Sequence, residues 1–262
     1  MNHIKDNPQK SHIHSLARSL QLIEVLSKER GELSLTEISK RTGWPKSTVH
    51  GILSTLRDYR YIDQNPHNGR YRLGIRLFEL GLIVARNWDV REIALPFMRK
   101  LNSQFGEMVH LATEDNGEVF YMEKIDSTHI IRIVSEIGAR LPMHCSGLGK
   151  VILANLPISE VERIVSQKGL PMMTKNTITE TARLDVELAK IRIQGYAVDN
   201  QEIMEGLRCV AAPIKDANSD VHYAISVSGL AERLSGEYFE TIKNEVIKAC
   251  AEISRQMGYR SV

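Results

Sequence analysis

The chain is poor in cysteine: 262 residues hold 3, at Cys145, Cys209 and Cys250. An odd, widely spaced set builds neither a disulfide framework nor a paired zinc motif, and it fits a reducing cytoplasm. Long apolar runs are missing too. Nothing approaches the roughly 20 residues that cross a bilayer, and the opening MNHIKDNPQKSHIH lacks the apolar centre of a secretory signal. A soluble protein with no membrane partner is expected. Internal repeats and low-complexity segments are also absent.

What is present divides unevenly. The net charge is only +2. Up to about residue 90, however, 14 Lys and Arg face 9 Asp and Glu, whereas 20 face 23 in the remainder. A small basic domain followed by a larger acidic one places any polyanion partner on the first, although a basic excess also suits a plain solvated surface.

Three helices are expected in the first part. SHIHSLARSLQLIEVLS carries Leu16, Leu20, Ile23 and Leu26 near helical spacing. Ser34 and Glu37 have capping-box spacing ahead of a short helix from Leu35 to about Arg41, which Gly43 ends. Pro45 then suits the first turn of a third helix. There Val49, Ile52, Leu53 and Leu56 form a core stripe. Ser47, His50, Gly51 and Ser54 fall on the opposite face, with Lys46 at its entry. Two short helices around a glycine turn form a helix-turn-helix, whose second helix enters the DNA major groove. Small Ser47 and Gly51 allow close approach, while Lys46, Thr48 and His50 can reach phosphates or base edges.

YIDQN and RYRL read as strands around an Asn68-Gly69 turn, with Tyr71 and Leu73 inward and Arg70 and Arg72 outward. Such a basic hairpin makes a wing for backbone phosphates; a winged-helix protein-interaction domain would look similar. GIRLFELGLIVARNWDVRE then carries two apolar stripes, Ile75, Phe78, Leu82 and Ala85, and Leu77, Leu80 and Val84. One stripe can cover its own domain. The other needs a partner, either the same helix of a second subunit or the C-terminal domain.

The remainder alternates hairpins and helices, an α+β pattern with a mostly antiparallel sheet. Asn116-Gly117 marks a hairpin, HIIRIVSEIG a third strand, and YAVDN, CVAAPI and HYAISVSG further strands; a long helix from about Glu237 to Gln256 closes the chain. CSGLGKVILA sets glycines before a helix start, where N–H groups can hold an anion, but it lacks the Walker A spacing. Asp199, Glu202 and Glu205 lie in one acidic stretch, and Ser226 and Ser228 share one face of a strand. These could equally be a tight turn, a solvated loop and surface hydroxyls. Catalysis finds little support. His144 and Cys145 are neighbours on extended chain and point apart, and no spacing unites His110, His144, Cys145 and Cys209 as metal ligands.

In order, LTEISKRTGWPKSTVHGILSTL, YRLGIRLFELG, LPMHCSGLGKVILANLP, GYAVDNQEIMEGLRCVAAPI and AISVSG resemble the IclR family of bacterial transcriptional regulators over nearly the whole chain. The resemblance implies a winged helix-turn-helix at 12–73, a linker and dimerisation helix at 74–90, and a GAF-like effector domain at 91–260. It implies a repressor acting as a homodimer or tetramer on a palindromic double-stranded operator, controlled by a small carboxylate or sugar acid, without cofactor or metal. Carried over by position, the family's effector contacts fall on the backbone of Gly147 and Leu148 and on Asp199, Cys209, Ser226 and Ser228. Apolar walls fall at Ile133, Leu141 and Leu207. The wing and EIGARLP look most like sugar-acid-responsive members. An enzyme acting on a sugar acid and an effector-free winged-helix protein are the alternatives.

Overall fold

The computed structural model describes residues 13–28, 31–86, 89–130 and 135–260. The chain separates between Asn87 and Trp88 into two compact units, so the helix expected as a linker belongs to the first.

In the first unit, α1 (His14–Ser27), α2 (Leu35–Thr42) and α3 (Lys46–Asp58) precede a hairpin of β1 (Ile62–Gln64) and β2 (Tyr71–Leu73), and α4 (Ile75–Arg86) follows. The capping box forms as expected: Ser34 N–H donates to Glu37 Oε2 at 2.7 Å, and Glu37 N–H donates to Ser34 Oγ at 3.3 Å. Those bonds from Ser34, with Arg70 adding to them, hold the Glu37 carboxyl down at about 2. Gly43 closes α2 with φ +72°, a left-handed conformation that costs glycine nothing.

The core of this unit joins Leu22, Leu26, Ile38, Val49, Leu53 and Tyr71. Two expectations need correction. Leu16 and Leu20 are each 57% exposed, because α1 buries the face of Leu22 and Leu26 instead. Leu73 is exposed although Tyr71 is buried, since β2 ends there and only Tyr71 pairs onward, through reciprocal N–H to carbonyl bonds with Leu33.

The second unit is a six-stranded antiparallel sheet in the order β5-β4-β3-β8-β7-β6. Its strands are β3 (Met108–Asp115), β4 (Glu118–Ile125), β5 (Arg140–Pro142), β6 (Ala197–Asn200), β7 (Leu207–Lys215) and β8 (Val221–Leu230). Asn116 and Gly117 both have positive φ between β3 and β4, the geometry of the two-residue hairpin that Asn-Gly favours. The strand expected within HIIRIVSEIG centres on residues 131–134, which lie outside the described residues; among those described, Arg140–Pro142 forms the edge strand paired with β4.

Strand alternation gives the sheet two apolar faces. Val109, Leu111, Val210, Ile225 and Val227 meet α5 (Asp89–Phe105) and α9 (Gly236–Gln256). Ala112, Tyr121, Ala211 and Ala224 face α6 (Gly147–Asn155), α7 (Ile158–Lys168) and α8 (Thr181–Gln194). On this second face, polar residues interrupt the apolar pattern.

Candidate functional site

On α3, Val49 and Leu53 are fully buried, while Lys46, Ser47, His50 and Gly51 are exposed and Thr48 and Ser54 half-buried. A Cβ added at Gly51 would meet nothing within 4 Å, so the solvent face of this helix is flat at its middle. Flatness lets a helix backbone approach a groove closely.

The wing arginines are less free than their alternation implied. Arg70 turns inward rather than outward: its guanidinium donates to Glu32 O at 3.0 and 3.1 Å and to Glu37 Oε2 at 2.8 Å. It thus ties the hairpin to the start of α2. Arg72 stays exposed, pairing with Asp63 Oδ2 at 2.7 Å and Glu32 Oε1 at 3.5 Å. The turn between the strands also differs from a two-residue Asn-Gly turn. Asn65 N–H donates to Arg70 O, and the Asn65 and Asn68 side chains accept from His67 and Arg70 N–H, making a longer loop that ends at Gly69.

In the second unit, strand register gathers the residues singled out in sequence. Asp199 lies opposite Cys209, Cys209 opposite Ser228, and Ser228 opposite Met108. One step along, Ala211 lies opposite Ser226 and Ser226 opposite His110. Paired residues share a face, so Asp199, Cys209, Ser226, Ser228 and His110 all point to the α6 side. Leu207 shares that face by period 2, and Leu141 packs against the core beneath α6. Ile133 lies outside the described residues.

Glycine seats the start of α6 on this face. A Cβ on Gly147 would stand 2.7 Å from Cys209 Sγ and 3.6 Å from Asp199 N. At Gly149 it would stand 2.2 Å from Met143 O, and Ser146 Oγ caps the helix by accepting from Gly149 N–H at 3.0 Å. The first-turn N–H groups at Gly147 and Leu148 have no carbonyl partner within the helix, and the helix dipole favours negative charge there.

Several buried polar atoms here have no partner: Asp199 Oδ2, Ser226 Oγ and His110 Nδ1. Burial pushes the Asp199 carboxyl up to about 7, opposed by the N–H of Glu202. The acidic stretch is not uniformly solvated, for Glu205 is exposed while Glu202 is buried and accepts from Lys150 Nζ at 2.6 Å. Burial raises the thiols of Cys145 and Cys209 to about 12, which makes neither a ready nucleophile. His144 Nε2 is engaged with Pro171 O at 3.1 Å, away from Cys145. Sequence reasoning missed His110 as a site residue, and Tyr121, stacked on it, altogether.

The family model for the bacterial transcriptional regulator IclR C-terminal domain matches residues 83–255, and that for the IclR helix-turn-helix domain matches residues 15–66. The chain belongs to the IclR family of DNA-binding transcriptional regulators. It is 37% identical over 247 residues to the Escherichia coli K12 HTH-type transcriptional regulator XynR, covering 94% of this chain and 98% of that one. To the transcriptional repressor IclR of the same strain it is 33% identical over 253 residues, covering 96% and 92%. A solved IclR homologue from Microbacterium hydrocarbonoxydans, complexed with 4-hydroxybenzoate, superposes with TM-score 0.83 at 25% identity, over 93% of this chain and 98% of that one. Among the described residues no helix is long and apolar enough to cross a membrane.

Proposed function

We propose that this protein is a repressor that binds a palindromic operator as a homodimer or tetramer and whose DNA affinity is set by a small hydroxylated carboxylate or sugar acid. The observation that carries the effector half is that Asp199 Oδ2 and Ser226 Oγ, both buried and unpartnered, lie on the sheet face against which the start of α6 packs. Native proteins rarely leave such atoms unsatisfied, and a ligand that brings its own polar groups satisfies them. Its carboxylate takes the N–H groups of Gly147 and Leu148. Its hydroxyl or carbonyl end meets Asp199, Ser226 and Ser228, with Cys209 beneath and Leu141 and Leu207 as walls. The Microbacterium homologue supports this reading, since its ligand carries a carboxylate and a hydroxyl.

For the DNA half, the exposed face of α3 from Lys46 to Ser54 reads the major groove and the wing grips phosphate. Arg72 makes that contact by exchanging Asp63 for a phosphate oxygen, while Arg70 holds the wing in place. The oligomer half rests on apolar side chains left exposed in the single chain, Ile75, Phe78 and Ile83 on α4 and Ile13, Leu16 and Leu20 at α1. No catalysis is assigned, because burial holds the Cys145 and Cys209 thiols neutral and, among the described residues, no acid–base pair is seen at the site.

The test is a calorimetric titration of aldonic, 2-keto and hydroxybenzoic acids into wild type and into Asp199→Ala and Ser226→Ala. Binding by wild type that falls at least about tenfold in both variants is expected, given two lost hydrogen bonds in a dry site. Equal affinity in all three proteins would place the effector elsewhere.

A further inference from the structure

The polar groups beneath α6 extend one strand beyond Ser226. His110, on β3, is 3% exposed and lies directly opposite Ser226. Its ring stacks on Tyr121, with centroids 4.3 Å apart and planes within 15°, which fixes the imidazole plane. Nε2 is 2.7 Å from Ser135 Oγ, and that hydroxyl reaches Met108 Sδ at 3.3 Å. A hydroxyl has one proton and a thioether only accepts. Both contacts are therefore satisfied together only if Nε2 carries the ring proton and donates to Ser135 Oγ, which donates to the sulfur. Nδ1 is then a bare lone pair, buried and without a partner, on a residue paired across the strands with Ser226, whose Oγ is equally unpartnered. Burial, reinforced by Lys124, lowers the His110 imidazole to about 4, so the ring is neutral at ordinary pH.

Resting on the effector reading above, we propose that His110 is a specificity-determining residue of that site, its Nδ1 accepting a hydrogen bond from a hydroxyl at the far end of the effector. The ligand class follows from the span. The start of α6 sits over Cys209 and Ala211 on β7, and β8 and β3 follow in the sheet, so two spacings of ~4.8 Å separate that anchor from the His110 backbone by roughly 10 Å. Side chains from both ends shorten the gap without closing it. An acid anchored at the start of α6 with only three carbons, at ~1.5 Å per bond, ends short of β3. A hydroxy acid of about five or six carbons reaches Nδ1 and Ser226 Oγ together. Ser226 Oγ can both donate and accept, whereas Nδ1 only accepts, so the pair demands a hydroxyl and rejects a ketone or a methyl at that position.

The experiment uses the full chain and the aldonates glycerate, threonate, ribonate and gluconate as calorimetric probes. Wild type should bind the five- or six-carbon members at least about tenfold more tightly than glycerate. His110→Phe keeps a ring for Tyr121 and removes the lone pair. It should abolish that advantage while leaving glycerate affinity within about twofold, and His110→Asn, whose amide oxygen replaces Nδ1 as acceptor, should restore part of it. Nitrogen NMR of the ring, free of any ligand, should show the Nε2–H tautomer with Nδ1 unprotonated, and binding should shift the Nδ1 signal. Undiminished preference for long aldonates in His110→Phe, an equal loss for every probe, or an Nδ1–H tautomer would each overturn the assignment while leaving the effector site itself intact. If wild type bound no aldonate at all, the sugar-acid reading would fail and this inference with it; binding unaffected by Asp199→Ala would move the site.

Discussion

Glu202 donates its backbone N–H to Asp199 Oδ1 at 2.7 Å, while Lys150 Nζ holds the Glu202 carboxylate at 2.6 Å. One oxygen of Asp199 is therefore fixed from below and the other, Oδ2, is left for a ligand. Lys150 is 1% exposed and also donates to Val198 O at 2.7 Å, so one buried ammonium ties the 199–202 turn to α6, alongside the Thr174 and Thr177 hydroxyls, which donate to Gln201 O and Glu202 O at 2.7 Å. Replacing it by an isosteric apolar chain strands the Glu202 carboxylate. Lys150→Met should lower unfolding free energy by about 3–5 kcal/mol in urea titrations. A loss under about 1 kcal/mol would mean the turn is held by other contacts.

Asp199 also gives the fold a pH signature. Its folded value of about 7 lies above the ordinary 3.8, so between those values the folded protein holds this proton more tightly than the unfolded chain. That contribution is complete below the unfolded value and is lost as pH rises towards 7. Asp199→Asn keeps the neutral shape and removes the titration. The stability of the variant relative to wild type should therefore grow from about pH 4 to pH 7 and then level off. A constant difference across that range in paired melting curves would contradict the burial argument.

Gly51 separates folding from DNA binding. Since a Cβ there meets nothing within 4 Å, Gly51→Ala should stabilise α3, by about 1 kcal/mol, the helix-propensity gain. Gly51→Glu should fold equally well yet bind operator DNA at least about a hundredfold more weakly, since it adds bulk and negative charge to the groove-facing side. Normal DNA binding by Gly51→Glu in a gel-shift assay would move the interface off α3.

The two wing arginines should behave differently. Arg72→Ala should weaken binding to all sequences alike and reduce the logarithmic salt slope by about 1, the signature of one lost phosphate contact. Arg70→Ala should instead raise amide exchange at Tyr71, because it unties the wing from Glu32 and Glu37. Identical exchange in wild type and Arg70→Ala would show that the inward contacts are dispensable.

Phe78, 62% exposed on α4, tests the oligomer. Phe78→Asp should convert the protein to monomer in sedimentation at micromolar concentration, because burying an unpaired carboxylate costs several kcal/mol. An unchanged sedimentation coefficient would assign the interface to another surface.

Much of this was legible in residue order because it depends on local rules. The capping box at Ser34 and Glu37, the left-handed Gly43 and the Asn116-Gly117 turn are fixed by neighbours a few positions away. The α3 stripe followed from helical period alone. What escaped depends on long-range pairing. Period alone offers α1 more than one apolar stripe, and only the tertiary core decides that Leu22 and Leu26 are buried while Leu16 and Leu20 are not. Arg70 alternates correctly for an outward side chain, yet Glu37 sits close enough to draw it in. Likewise His110 becomes a neighbour of Ser226 only through the pairing of β3 with β8, whose partners are more than a hundred positions apart in the chain.

Ligand and DNA are expected to share one free-energy coupling. The direct measurement is fluorescence anisotropy of an operator recovered by in vitro selection, titrated with the full chain with and without the tightest-binding acid. DNA affinity should change about 5- to 150-fold in wild type, the ligand's affinity should change by the same factor on the DNA complex, and Asp199→Ala should show neither change at the same ligand concentration. DNA affinity that stays constant at saturating ligand, with the ligand demonstrably bound, would show that the two sites are uncoupled and that the bound acid is not an effector.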